Sequence, residues 1–269
     1  MSEYKVLLFY KYVSISDPEL LRAAQRELCE ELGLTGRIIV AKEGINATVE
    51  GTTGSVQAYM DSLVQDLRFK DIHFKLSDGD GKSFPKLSVK VRSEIVSTHL
   101  GSEDLNPTEI TGKYLTADEL HEWFQNGEEF YIVDMRNEYE HKVGHFKDAI
   151  LPSFKNFRDL PRIVEEISNI KDKKVLTVCT GGVRCEKASG YLIRKGFKDV
   201  YQLYGGIVTY MEKYPNQNYL GKLYVFDSRI TMGFDTDSPE HQIIGRCDRT
   251  GIQSENYVNC NNTDCHKHV

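Results

Sequence analysis

Apolar and polar positions alternate with different periods along the chain. From residue 4, "YKVLLFYKYV" is a short apolar run broken by lysines and predicts a strand. "DPELLRAAQRELCEELG" repeats apolar residues at helical spacing, with Asp17 as N-cap, Pro18 in the first helical position and Gly33 as a C-cap. "RIIVAKEGINATVEG" predicts two strands that turn at Glu43–Gly44 or near Asn46. "SVQAYMDSLVQDLRF" predicts a second helix, and "IHFKL" and "LSVKV" two more strands.

Strand, helix, two strands, helix, strand is the split βαβ order of a ferredoxin-like α+β domain, here residues 1–96. Residues 97–115, "STHLGSEDLNPTEITGKYL", are polar and aperiodic and predict a linker. From 116 to 216 the pattern becomes α/β. "TADELHEWFQ" opens a helix with a Thr-x-x-Glu capping box, "FYIVDM" and "KVLTVC" are strands, "EKASGYLIRKG" is a helix, and "VYQLYGGI" is a strand running into Gly-Gly. Such alternation predicts a parallel sheet flanked by helices, whose ligands collect at the carboxyl ends of the strands. Asp134 and Cys179 stand at two such ends. Residues 217–269 carry no long periodic element and form an irregular extension with a Cys- and His-bearing tail.

Composition adds exclusions. No apolar run approaches the roughly 18 residues of a membrane span, and Lys5 and Lys11 break the first strand too early for a secretory core. A cytoplasmic protein without membrane partners is expected. The net charge of -6 gives no global attraction to polyanions, so nucleic acid would have to meet a local basic patch. Six cysteines spread unevenly over 269 residues argue against a disulfide framework.

The candidate chemistry lies in "KKVLTVCTGGVRCEKASGYLIRKGF". Cys179 ends a strand, Thr180, Gly181, Gly182 and Val183 lead to Arg184, and helix follows. Glycines let successive amides point inward as an anion-binding nest, and a helix N-terminus and Arg184 add positive charge. A thiol there would have a depressed pKa and act as a nucleophile. The plain alternative is a structural cysteine at an ordinary Gly-Gly corner. The C-x4-R spacing is one residue shorter than the C-x5-R of cysteine phosphatases and suits a sulfur-sized anion. Around the loop, Cys185 reads as a packed side chain or a resolving thiol. Asp134 and Arg136 read as an ion pair bracing the pocket, and His145 as turn scaffolding. Cys29, on an amphipathic helix, reads as core.

Residues 116–214 resemble a rhodanese (sulfurtransferase) domain, through "IVDMRNEYEHKVGHFKDAI" and "VCTGGVRCEKAS". With "KEGINATVEG" and "FPKLSVKVRSEIV" before it and "VFDSR" and a Cys-rich tail after it, nearly the whole chain resembles the rhodanese-like tRNA uridine hydroxylases. The resemblance implies 5-hydroxylation of the wobble uridine of tRNA with molecular oxygen as co-substrate, and a requirement for Cys179. In "KLSVKVR", alternation puts Lys86, Ser88, Lys90 and Arg92 on one face, a basic stripe suited to phosphates, with Phe84 as a candidate stacking surface. Lys42, in the "KEGIN" turn, joins the candidate contacts to an anticodon loop. In the tail, Cys247, Cys260, Cys265 and His266 suggest a structural zinc site. Thr250 stands where relatives have a second cysteine of a C-x2-C pair, which weakens that signal. Two other classes stay open: a sulfurtransferase working through a Cys179 persulfide, and a non-catalytic RNA- or protein-binding module.

Overall fold

A computed structural model of the chain describes residues 2–247 and 250–258. Contacts divide it into two units. One holds the residues up to Thr98 together with Asn106–Glu109, and the other holds His99–Leu105 and the chain from Ile110 onward.

In the first unit, β1 (Tyr4–Tyr12), β2 (Thr35–Ala41), β3 (Gly44–Thr52), β4 (Lys75–Gly79) and β5 (Leu87–Val91) form one sheet in the order β4-β1-β3-β2-β5. Neighbours are antiparallel except β2 and β5. The first four strands have the ferredoxin-like order, and β5 adds a parallel edge. Alternate residues Leu7, Phe9, Ile38, Val40, Ala47, Val49 and Val89 share one buried cluster with Leu21 and Cys29 of α1 (Pro18–Glu31) and with Val56, Tyr59 and Leu63 of α2 (Thr53–Leu63). Both helices therefore cover one face. Asp17 caps α1 by accepting the Leu20 N–H at 2.9 Å. Ala41 pairs with Gly44, so Lys42 and Glu43 are the turn. Gly44 has φ +149, and a Cβ there would lie 2.0 Å from the Lys11 carbonyl oxygen, so only glycine fits.

The second helix is shorter than its apolar spacing predicts. It ends at Leu63, and Asp66 starts a separate turn over Leu67–Phe69 by accepting the Arg68 N–H at 3.0 Å. Leu67, an apolar position in the sequence pattern, is 83% exposed.

The second unit runs β6 (Lys113–Leu115), α3 (Ala117–Asn126), β7 (Tyr131–Asp134), α4 (Glu138–His141), β8 (Gly144–Phe146), α5 (Leu160–Glu166), β9 (Lys174–Val178), α6 (Val183–Arg194), β10 (Asp199–Leu203) and α7 (Gly206–Lys213). It continues with β11 (Tyr219–Gly221), β12 (Leu223–Tyr224) and β13 (Thr231–Met232). Strands β6-β10-β9-β7 make a wholly parallel sheet in that order. Strand β11 pairs with β8, and β12 with β13. Among the described residues no helix is long and apolar enough to cross a membrane.

The segment expected as a linker differs from that expectation. Its last three residues are β6, an edge strand too short to show a period. Residues 103–105 and 110–112 lie against α6: Asp104 pairs with the fully buried Lys187 at 3.0 Å, and Glu103 accepts from the Tyr191 hydroxyl at 2.9 Å. Ser189 Oγ accepts the Gly112 N–H at 2.8 Å. The acids that make the stretch look solvated are counter-charges for a helix buried from Arg184 to Leu192.

The first unit's core yields a direct check. Ile38→Ala, at a fully buried sheet position, is expected to lower the stability of that unit by about 2–5 kcal/mol in urea unfolding. A loss well under about 1 kcal/mol would mean that the core does not centre on this strand.

Candidate active site

Helix α6 starts earlier than its sequence suggests. Gly182, at φ +104, is its N-cap, so Arg184 and Cys185 already lie in the first turn. A side chain at that φ would be strained, and the glycine there lets the chain leave β9 and enter the helix within four residues. The Gly182 N–H donates to Cys179 Sγ at 3.3 Å.

The loop is anchored from behind by the start of α7. Ile207 and Val208 donate their N–H groups to the carbonyls of Cys179 and Thr180, at 2.9 and 3.1 Å. Gly205 and Gly206 both have positive φ, and a Cβ on Gly206 would stand 2.6 Å from the Thr180 oxygen. The Gly-Gly pair after β10 therefore serves close approach to the cysteine loop.

Cys179 itself is fully buried. Burial alone would push its thiol up. The Cys185 side chain, the Arg184 charge and the N–H groups of Cys185 and Arg184 outweigh burial and bring it down to about 6. Cys185 moves the other way: burial first, and then its donation to Cys179, raise it well above the ordinary thiol value. The two thiols are thus pushed in opposite directions, with Cys179 favoured as the anion and Cys185 as the donor. The loop places the Gly182 amide against the Cys179 sulfur, which is enclosed rather than open.

Arg184 is not aimed at the sulfur alone. Its guanidinium forms a two-pronged pair with Glu140, at 2.6 Å (Nη1–Oε2) and 2.7 Å (Nη2–Oε1), and both residues are buried. Thr180 Oγ1 lies 3.4 Å from Arg184 Nη2 and 3.5 Å from Glu140 Oε1. Glu140 also accepts the Asn137 N–H at 2.9 Å, which ties it to the start of α4. Sequence reasoning missed Glu140 as a site residue, although "NEYEH" carries it.

Asp134 and Arg136 form a second buried pair, at 2.9 Å (Nε–Oδ1) and 2.6 Å (Nη2–Oδ2). Arg136 also donates to the Gly144 carbonyl at 2.6 Å, joining β7 to β8. His145 Nδ1 lies 2.8 Å from the His141 carbonyl oxygen. In the other unit, Lys42, Lys86, Lys90 and Arg92 are exposed. Register places Ser88 beside Arg37 and Lys90 beside Ile39, opposite the helix-covered face. Phe84 is 5% exposed and so offers no stacking surface, contrary to expectation. Its ring faces inward while Lys82, Pro85 and Lys86 around it face water. The Cys247 carbonyl accepts the Gly251 N–H at 2.9 Å, whereas Cys260, Cys265 and His266 fall outside the described residues. Among the described residues no group of three or more His, Cys, Asp or Glu is placed to hold a metal.

Residues 4–95 match the family described as UPF0176 acylphosphatase like domain, 116–213 the rhodanese-like domain, and 220–269 the rhodanase C-terminal family. The chain is 47% identical over 269 residues to a Bacillus cytotoxicus protein named tRNA uridine(34) hydroxylase, covering 99% of this chain and 82% of that one. A protein of the same name from Oceanobacillus iheyensis is 47% identical over 270 residues, with the same coverage.

The Arg184–Glu140 pair predicts strong coupling. Glu140→Ala and Arg184→Ala each leave a buried charge without its partner and are expected to cost about 3–5 kcal/mol in urea unfolding. The double variant is expected to cost less than the sum, by at least about 1 kcal/mol. Additive losses would mean that the two side chains act independently.

Proposed function

The chain belongs to the tRNA uridine(34) hydroxylase family, and we propose that it hydroxylates uridine 34 of tRNA in the cytoplasm with Cys179 as the reacting group. The observation that carries the cysteine's part is geometric: the Gly182 amide, at the start of α6, donates to the buried Cys179 sulfur at 3.3 Å, and the surrounding donors favour the anion there. A thiolate is the form that attacks carbon or oxygen electrophiles, and the cradle equally stabilises an anionic persulfide on the same atom. Carbon 5 of the base is the site of the new hydroxyl, and molecular oxygen is the co-substrate, as the family resemblance implies.

The chain's own residues divide the remaining work. Arg184 and Glu140 hold the loop in shape, so that the sulfur keeps its donors while the substrate is bound. The exposed Lys42, Lys86, Lys90 and Arg92 contact phosphates of the anticodon arm, where a splayed loop base is more easily presented than a paired one. The sulfurtransferase reading uses the same cradle. It leaves the basic face of the first unit without a task, and the hydroxylase reading gives it one.

Nucleoside mass spectrometry of bulk tRNA from a deletion strain tests the activity. We expect loss of 5-hydroxyuridine-derived nucleosides, restoration by the wild-type chain and none by Cys179→Ser. Unchanged nucleosides in the deletion would overturn the activity, and full rescue by the serine variant would overturn the cysteine's role alone. Thiosulfate-to-cyanide sulfur transfer by the purified chain, without any change in tRNA, would favour the sulfurtransferase.

The basic face has its own test. In a filter-binding assay with tRNA, Lys86→Glu, Lys90→Glu and Arg92→Glu together are expected to weaken binding at least tenfold. They should also flatten its salt dependence by about one unit of log slope for each phosphate no longer neutralised. An unchanged slope would place the tRNA elsewhere.

A further inference from the structure

The segment "VFDSR", residues 225–229, has no part in the cradle, yet it brings an aromatic ring to it. Phe226 lies over Arg184, with 5.9 Å between the guanidinium carbon and the ring centroid. From Phe226 a chain of edge-to-face rings runs outward: Tyr224 to Phe226 at 5.2 Å and 78°, and Tyr139 to Tyr224 at 5.1 Å and 71°. The middle ring is buried, but Phe226 is 44% exposed and Tyr139 39%. Tyr139 stands on α4, one residue before Glu140. Both exposed rings thus adjoin the two residues of the buried charge pair.

The hairpin holds Phe226 firmly. Strands β12 and β13 pair on either side, and the Val225 N–H donates to the Ile230 carbonyl at 2.8 Å. The Asp227 carboxylate, nearly buried, accepts from the Arg229 N–H at 3.1 Å, from Nε at 2.8 Å and from Nη2 at 2.7 Å. Ile230 sits at φ +61, a conformation that a β-branched residue adopts only at a cost. A hairpin that carries backbone strain and a partly buried ion pair, and that leaves a phenylalanine half in water, gains little stability from that ring. Held rigid beside a cation, the ring is suited to receiving another flat, apolar surface.

Resting on the hydroxylase reading, we propose that Phe226, with Tyr139 on the far side of Tyr224, is the platform on which a base of the anticodon loop next to the reacting uridine stacks. Every nucleobase offers a π-face, so the platform fixes the position of the loop without reading its sequence. It would set which nucleotide comes to Arg184 and the enclosed sulfur. Phe226 is in this account a substrate-binding residue and takes no part in bond making.

The test uses the full chain and an anticodon stem-loop RNA with 4-thiouridine on one side or the other of the target uridine. Irradiation is expected to crosslink at least one of these RNAs to the tryptic peptide 223–229. In steady-state assays with the unmodified stem-loop, Phe226→Ala is expected to raise KM about 5- to 150-fold, with a smaller change in kcat. Phe226→Trp should restore KM, whereas Phe226→Leu, apolar but not flat, should behave like alanine. Thermal melts of the three variants report any loss of fold separately. Crosslinks confined to other peptides would overturn the platform, as would a KM that follows side-chain volume rather than planarity. Crosslinking at 223–229 by a chain that leaves the uridine unmodified would overturn the hydroxylase reading while the platform stands.

Discussion

An anionic sulfur sealed from water must be solvated by the protein around it, and the second unit is built around that demand. A thiolate moved into a dry interior loses several kcal/mol of hydration unless donors replace the water. Here the replacement comes from amides at the start of α6 and from a neighbouring thiol. Each solution creates a further requirement. Arg184 assists the sulfur but is itself buried, so Glu140 must neutralise it, and Glu140 in turn is oriented by the cap of α4. The Asp134–Arg136 pair extends the same logic to the strand beside β9.

The parallel sheet makes this possible. Strands β7 and β9 end side by side, with Asp134 opposite Val178. The residues after these two ends therefore meet without long connections. Two helices then begin at one loop, α6 through Gly182 and α7 through Gly205 and Gly206. Their unsatisfied N–H groups point one set at the sulfur and the other at the loop carbonyls. A loop gripped on both sides keeps its donors in place whether or not the sulfur carries a charge. Such preorganisation lowers the cost of an anion on Cys179.

Much of this is legible in the sequence, for identifiable reasons. The ferredoxin-like order can be read because its strands are long and half-buried, so apolar residues alternate, as in Leu7 and Phe9. The cradle can be read because Cys179, the glycines and Arg184 are contiguous. Glu140 escapes because it lies 44 residues from its partner, and nothing in a local pattern marks an acid that will be buried. The stretch around residues 103–112 reads as solvent-facing chain because Glu103 and Asp104 are charged, and only the fold reveals the buried lysine and tyrosine they serve. Phe84 fails as a stacking surface for a related reason. An aromatic residue beside a basic strand looks available until the β4–β5 loop turns it inward. Phe226 stands as its counterpart, an aromatic residue left at the surface by a hairpin too short to show a period.

The account stands on the charge of one atom. Ultraviolet titration of the thiolate, taken as wild type minus Cys179→Ser, measures it directly. A midpoint near 6 is expected, with the sulfur neutral and unreactive below it and anionic above it. A midpoint at or above the ordinary thiol value of 9.0 would mean that burial wins over the donors, and the site would then hold an inert structural cysteine.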